Sequence, residues 1–345
     1  TIPNQTLHTI NGIVINKATR QPVKGARVSI KNENAVTSLF SAISEGGSQN
    51  QTDEQGRWSY KELPPGKYTV TVQPPYSYES PEEKNKQKVK TPKLAQLRKE
   101  IVVEEKDLTD LVLELGYGTT ISGTISFDNQ QILPSSITIT AVDENGKFAE
   151  SSNLYTQYTN DGKPIQAKIQ DFKIEGIPNG KVFIKTDIRA YGEDDKQAFY
   201  VKSILYNGRD VSSSPLETKE GEEIKGVQII LSNDVGKLKG KVTRTDKTAV
   251  SGAKIFLLPT DKTKWANYNA SLYAATNSDG EFEVSGAPGE YFVVLQKDSD
   301  YLNEEETEKS LPEQRRELFE KQTLNASKAT IKAKETETIA LILPE

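Results

Sequence analysis

Cysteine and methionine are absent from the 345 residues, and histidine occurs once, as His8. Without cysteine there is no disulfide framework, zinc ribbon, thiolate nucleophile or thiolate-held cofactor. One histidine cannot build a multi-histidine metal site or a zinc peptidase centre. A Ser-His-Asp triad would need that same His8, and no G-x-S-x-G elbow accompanies it. Walker and dinucleotide fingerprints are missing as well. A net charge of −5 argues against the strongly basic face of a nucleic-acid protein. No apolar run approaches the roughly 18 residues of a membrane-spanning helix. With 34% apolar residues and a mean hydropathy of −0.61, each core must be thin, and the length predicts two or three domains. The chain opens Thr1-Ile2-Pro3, without methionine. It reads as a mature product whose leader was removed, or as a fragment, and secretion to the cell exterior or surface is the favoured reason.

What is present is repetition. Gly12 opens two apolar runs around a polar turn, and the pattern returns loosely from Gly123 and again from Gly240, 111 and 117 residues apart. Ile13 and Ile15, then Val28 and Ile30, alternate with the period of half-buried strands. A second landmark, Thr52 to Val72, recurs from Thr276 to Leu295 and, degenerately, from Gln170 to Lys185. In each copy an aromatic (Trp58, Phe172, Phe282) starts a strand, and a Pro-Gly or Pro-Asn-Gly turn follows. The next strand then brings Tyr68, Val182 or Tyr291 into one register. Proline presets one turn angle and glycine supplies positive φ, so each copy predicts a hairpin. A charged turn and an apolar strand close every unit. These landmarks predict an all-β chain of three tandem sandwiches, over residues 1–116, 117–234 and 235–345, the second divergent and carrying an insert at 191–210. Very short linkers predict a semi-rigid rod. Short helices are expected from Thr91-Pro92, with Leu94 and Leu97 on one face, and from Ser310 to Phe319, with Leu311, Leu318 and Phe319 in phase.

The residues Gly12, Pro22, Gly25-Ala26, Thr52-Asp53, Gly56, Trp58 and Leu63 through Tyr68 resemble the carboxypeptidase regulatory-like family of prealbumin-like (transthyretin-like) β-sandwiches. Gly240, Gly252-Ala253, Thr276, Asp279-Gly280, Phe282 and Ala287 through Tyr291 carry the same resemblance in the third repeat; the second keeps Gly123, Phe172 and Gly180. The resemblance implies a non-catalytic accessory or structural module of bacterial secreted or surface proteins, without cofactor or metal. It also puts Asp53 and Asp279 at turn positions, where their carboxylates would bond their own backbone.

Three function classes remain, the last and least favoured an enzyme that would use Glu193 or Asp195. The first is a structural or adhesive subunit that polymerises head to tail with copies of itself or other surface proteins, using a donated opening strand with Thr1, Ile2, Leu7 and Ile10. The second is a monomeric binding module for glycan or protein, whose exposed aromatics would be Tyr76, Tyr78, Trp265, Tyr268 and Tyr273. The basic run from Lys84 to Lys99 and the acids Glu193 to Asp195 read as solvated loops. Four N-x-S/T triplets begin at Asn4, Asn50, Asn269 and Asn325.

Overall fold

The structure is a computed structural model that describes residues 6–32, 51–75, 92–128, 134–144, 148–155, 169–189, 199–296 and 312–343. The chain is all-β, with one α-helix among the described residues.

The first sandwich contains β1 (His8–Asn16), β2 (Arg27–Asn32), β3 (Arg57–Leu63), β4 (Gly66–Gln73), β5 (Leu97–Val103) and β6 (Leu108–Leu115). They form the sheets β3-β1-β6 and β2-β4-β5. β1 lies between β3, which is antiparallel to it, and β6, which is parallel. Its alternating burial turns Ile10 and Val14 inward against Trp58, Tyr68, Val70 and Leu113, and both sheets contribute to this core. Each fully buried aliphatic of this kind stabilises by about 1.5–3 kcal/mol. No helix forms at Leu94 and Leu97. Leu94 instead bridges to Tyr117, Leu97 begins β5, and both pack onto the core from partly buried positions. The β-branched run Ile101-Val102-Val103 favours a pleated strand and overrides the short helical spacing.

The second pair of sheets is built from β7 (Thr119–Phe127), β8 (Ser136–Asp143), β9 (Phe148–Tyr155), β10 (Ile169–Ile177), β11 (Gly180–Arg189), β12 (Tyr200–Tyr206), β13 (Arg209–Asp210), β14 (Leu216–Thr218) and β15 (Glu223–Ser232). Their order is β10-β7-β15-β12-β13 and β14-β11-β8-β9. The segment expected as an insert supplies β12 and β13, joined by an Asn207-Gly208 turn in which both residues have positive φ.

The third sandwich contains β16 (Gly236–Thr243), β17 (Lys254–Pro259), a 3-10 helix (Lys262–Ala266), β18 (Leu272–Ala275), β19 (Glu281–Gly286), β20 (Gly289–Gln296), α1 (Pro312–Thr323), β21 (Ser327–Ile331) and β22 (Thr336–Ile342). The sheets are β19-β16-β22 and β18-β17-β20-β21, and β22 runs parallel to β16 as β6 does to β1.

The recurring glycines share one cause. A Cβ on Gly12 would lie 1.9 Å from the Leu111 carbonyl oxygen, and one on Gly123 would lie 1.7 Å from that of Val227. One on Gly240 would lie 2.7 Å from the Ile339 oxygen and 2.4 Å from the Phe282 ring. At these points the closing strand's carbonyl lies where the opening strand's side chain would stand, so only glycine fits there. In the first sheet β1 changes register against both neighbours, beside Glu62 and Asp110, whose φ values are 62° and 60°. Left-handed backbone costs a side-chain-bearing residue about 1–2 kcal/mol, and the second pair of sheets has Gly176 and Gly226 at the corresponding points.

By contact density the chain divides into two compact units. One comprises Thr1–Thr120, Glu175–Asn179 and Thr218–Glu223; the other comprises the remainder and so includes most of the second pair of sheets together with the third sandwich.

Candidate functional site

The turn before β3 is fixed by side chains. Thr52 donates its hydroxyl to the Val23 carbonyl and accepts from the Ala26 amide; Thr276 does the same with Val250 and Ala253. Asp53 accepts from the Gln55 and Arg57 amides, as expected. In the third sandwich that role belongs to Asn277, which accepts from Asp279 and Glu281, and not to the Asp279 carboxylate. After the Pro-Gly turn, Tyr68 donates to the Pro64 carbonyl and Tyr291 to that of Ala287. Burial pushes the Tyr291 phenol up to about 12, and the nearby Tyr200 adds to the shift. These constellations hold turns together.

Among the described residues, the predicted binding aromatics Trp265, Tyr268 and Tyr273 do not form a platform. Trp265 is only 3% exposed. Its indole donates to the Pro259 carbonyl, its ring meets Phe319 edge-on at 5.7 Å, and it thereby packs the 3-10 helix against α1. It is a packing residue and not an exposed one. Tyr268 is partly buried, edge-on to Phe183 at 5.4 Å. Tyr273 is exposed on β18 and rests against Phe256. Tyr76 and Tyr78 lie outside the described residues, as do Lys84 to Lys90 and Glu193 to Asp195.

The expected assembly strand is also divided. Thr1 and Ile2 lie outside the described residues, and Leu7 is 50% exposed just before β1. Ile10 is fully buried on a strand paired on both sides, so it is committed to its own core and unavailable for donation. His8 is buried too, with Nδ1 3.6 Å from Asp107 and Nε2 lacking a partner. Among the described residues, no three His, Asp or Glu side chains gather around a common metal position.

Within the second unit, the turn after the 3-10 helix docks on β11. Asn269 Oδ1 accepts from the Thr186 amide at 2.8 Å and its hydroxyl at 3.2 Å, while Nδ2 donates to the Ile184 carbonyl at 3.0 Å. The amide thus behaves as one more rung of a sheet, and it uses the nitrogen of a predicted glycosylation triplet.

Two concave features stand out among the described residues. One is an open groove of about 620 Å³ on the outer face of β3-β1-β6, lined by Asn11, Ile13, Arg57, Ser59, Asp110 and Val112 among others. Trp58 also lines it, and its buried indole nitrogen has no partner. The corresponding face of β19-β16-β22 is charged: Lys237 and Lys239 both pair with Glu283, and the hydrogen bond from Lys239 holds that carboxyl below its usual range. The other is a cleft of about 350 Å³ between β21 and β22, with Leu238, Ala329 and Ile339 in its lining. Neither was visible in the sequence, because each depends on the register of strands far apart in the chain.

A parallel closing strand against a glycine, with a Pro-Gly hairpin and its tyrosine, defines a β-sandwich module. Residues 9–107 match the model of the carboxypeptidase regulatory-like domain, so the first sandwich is similar to that family. No match to this sequence is found among the curated proteins. Among solved structures, the Bacillus anthracis TIE protein is 17% identical over 98% of this chain, with a TM-score of 0.22, and this chain spans 50% of its length. BcpA, the major pilin subunit of Bacillus cereus, is 11% identical over 97% of this chain and 99% of its own, with a TM-score of 0.22. The Corynebacterium diphtheriae major pilin SpaA is 10% identical over 84% of this chain and 86% of its own, with a TM-score of 0.21.

Proposed function

We propose that this chain is a non-enzymatic extracellular structural protein of three sandwich domains, 1–116, 117–234 and 235–345, whose copies associate head to tail on a cell surface. The observation that carries the reading is the pair of closing strands. Among the described residues, β6 and β22 are each hydrogen-bonded on one side only, leaving a strand edge in the first sandwich and another in the third. Exposed edges recruit further strands, and a contact between unlike ends of two copies propagates instead of closing. Sedimentation velocity across a concentration series, followed by negative-stain imaging, tests it. Concentration-dependent growth into fibres is expected. A single monomeric boundary up to the solubility limit, with no fibres, overturns the reading.

The groove beside Trp58 favours a second reading, a binding module for a neutral polyhydroxylated ligand such as a glycan. Arg57 and Asp110 offset each other's charge, Asn11 and Ser59 offer neutral hydrogen bonds, and Ile13 and Val112 supply an apolar strip. In a Trp265→Phe background, saturable quenching of Trp58 emission by an oligosaccharide library supports this reading. An unchanged spectrum throughout the library removes it.

A further inference from the structure

The first and third sandwiches follow one plan, and comparing their registers reveals a difference at one seam. In the first sandwich the seam between β5 and β6 is closed by aliphatic side chains: Ile101 is 8% exposed, and Leu108 packs against the same core. The glycines of the two Pro-Gly turns fix the correspondence, Gly66 pairing with Val103 and Gly289 with Ile331. Counting back two residues on each strand sets Ala329 where Ile101 stands. On the other sheet, Leu108 pairs with Ile10 and Glu337 with Leu238. The third sandwich therefore has Ala and Glu in place of Ile and Leu, and the cleft between β21 and β22 opens over Leu238. Lys328, Lys332 and Glu337 line it as well. A gap of this kind leaves its apolar lining without contacts on one side, and the first sandwich shows that a branched aliphatic fits there.

The chain carries such a group on its surface. Val102, on the edge strand β5, is 57% exposed. Its exposed neighbour two residues back on the same strand face is Glu100; Glu104, beyond the end of the strand, pairs with Lys106. The cleft has an apolar floor of Leu238, Ala329 and Ile339 with the Lys328 ammonium at its edge, whereas Lys332 is already paired with Glu337 and Glu335, so a valine beside an acid complements it at Lys328. We propose that the β21–β22 cleft of one copy receives Val102 of a second copy, with Glu100 meeting Lys328. The contact joins the third sandwich of one molecule to the first of the next, so it is heterologous and leaves both outer ends active. It rests on the head-to-tail reading and supplies its interface.

Sedimentation velocity on wild type, Ala329→Ile and Val102→Asp tests it. Ala329→Ile fills the cleft from within, and Val102→Asp removes the knob at an exposed position that the fold tolerates. Each variant alone should self-associate at least about tenfold more weakly than wild type. An equimolar mixture should form dimers and stop there, because one variant keeps a working Val102 and the other a working cleft. Ala329→Ile should also melt about 2–4 °C higher, the signature of a filled gap. If wild type associates and both variants match it, or if the mixture yields no dimer, this contact is wrong while the head-to-tail reading survives. If wild type is itself monomeric, both are overturned.

Discussion

Tyr291 offers a test in which stability and titration must agree. Its side chain is 4% exposed, and its hydroxyl donates to the Ala287 carbonyl at 2.8 Å. Burial holds the phenol near 12, against about 10 for an unfolded chain, and that gap corresponds to about 2–3 kcal/mol. The folded value is the higher one, so the fold favours the protonated form. The contribution is fully present below pH 10 and is lost as pH rises through about 12. Tyr291→Phe should cost about 1 kcal/mol at neutral pH by removing the hydrogen bond, and it removes the alkaline loss as well. Wild type is the more stable protein at pH 8, the two curves meet near pH 11, and the variant is the more stable above that. Urea titrations at several pH values measure this, with Trp265 emission in a Trp58→Phe background reporting on the third sandwich alone. Lysines and other tyrosines titrate in both proteins and cancel in the difference. A wild-type advantage that stays constant to pH 11.5 would refute the assignment of the shift to a buried phenol.

Gly12→Ala should destabilise the first sandwich by about 1–3 kcal/mol or more, because the closing strand's carbonyl already occupies the Cβ position; thermal melts of this variant against Val112→Ala on the exposed face of β6 check it. Thr276→Val should cost about 1–3 kcal/mol by leaving the Val250 carbonyl and Ala253 amide unpaired, and a smaller loss in urea titration would show that water replaces the hydroxyl. Trp265→Ala should cost about 3–5 kcal/mol, as for other large aromatics removed from a core, and should expose α1 to proteolysis; an unchanged digestion pattern would mean that Phe319 does not depend on it.

The features legible in the sequence were those whose causes are local. The Pro-Gly turns announce themselves through φ preferences, and the tyrosine that follows reaches a carbonyl only four residues back. Gly12, Gly123 and Gly240 were found by repetition, although their reason lies about 100 residues away, on the closing strands. Distance also explains the misreadings. Trp265 sits in a polar stretch that suggests exposure, and only α1, some 50 residues later, supplies Phe319 to cover it. Leu94 and Leu97 have helical spacing, but their partners are Tyr117 and the strand β4. Asn277 takes a role expected of Asp279 because the turn is anchored by the residue after the buried threonine, a detail that Thr52-Asp53 contained in plain view.

The rung formed by Asn269 bears on the order of events during biosynthesis. The amide nitrogen that a glycan would need is the one that donates to the Ile184 carbonyl. Once this turn has docked on β11, the triplet at Asn269 is closed to any transferase, whatever its sequence promises. Sugar at this position could enter only on a nascent or unfolded chain, and it would then stand in the way of docking. In a glycosylating expression host, occupancy at Asn269 therefore becomes a clock, recording how often modification outran the joining of these two parts of the molecule.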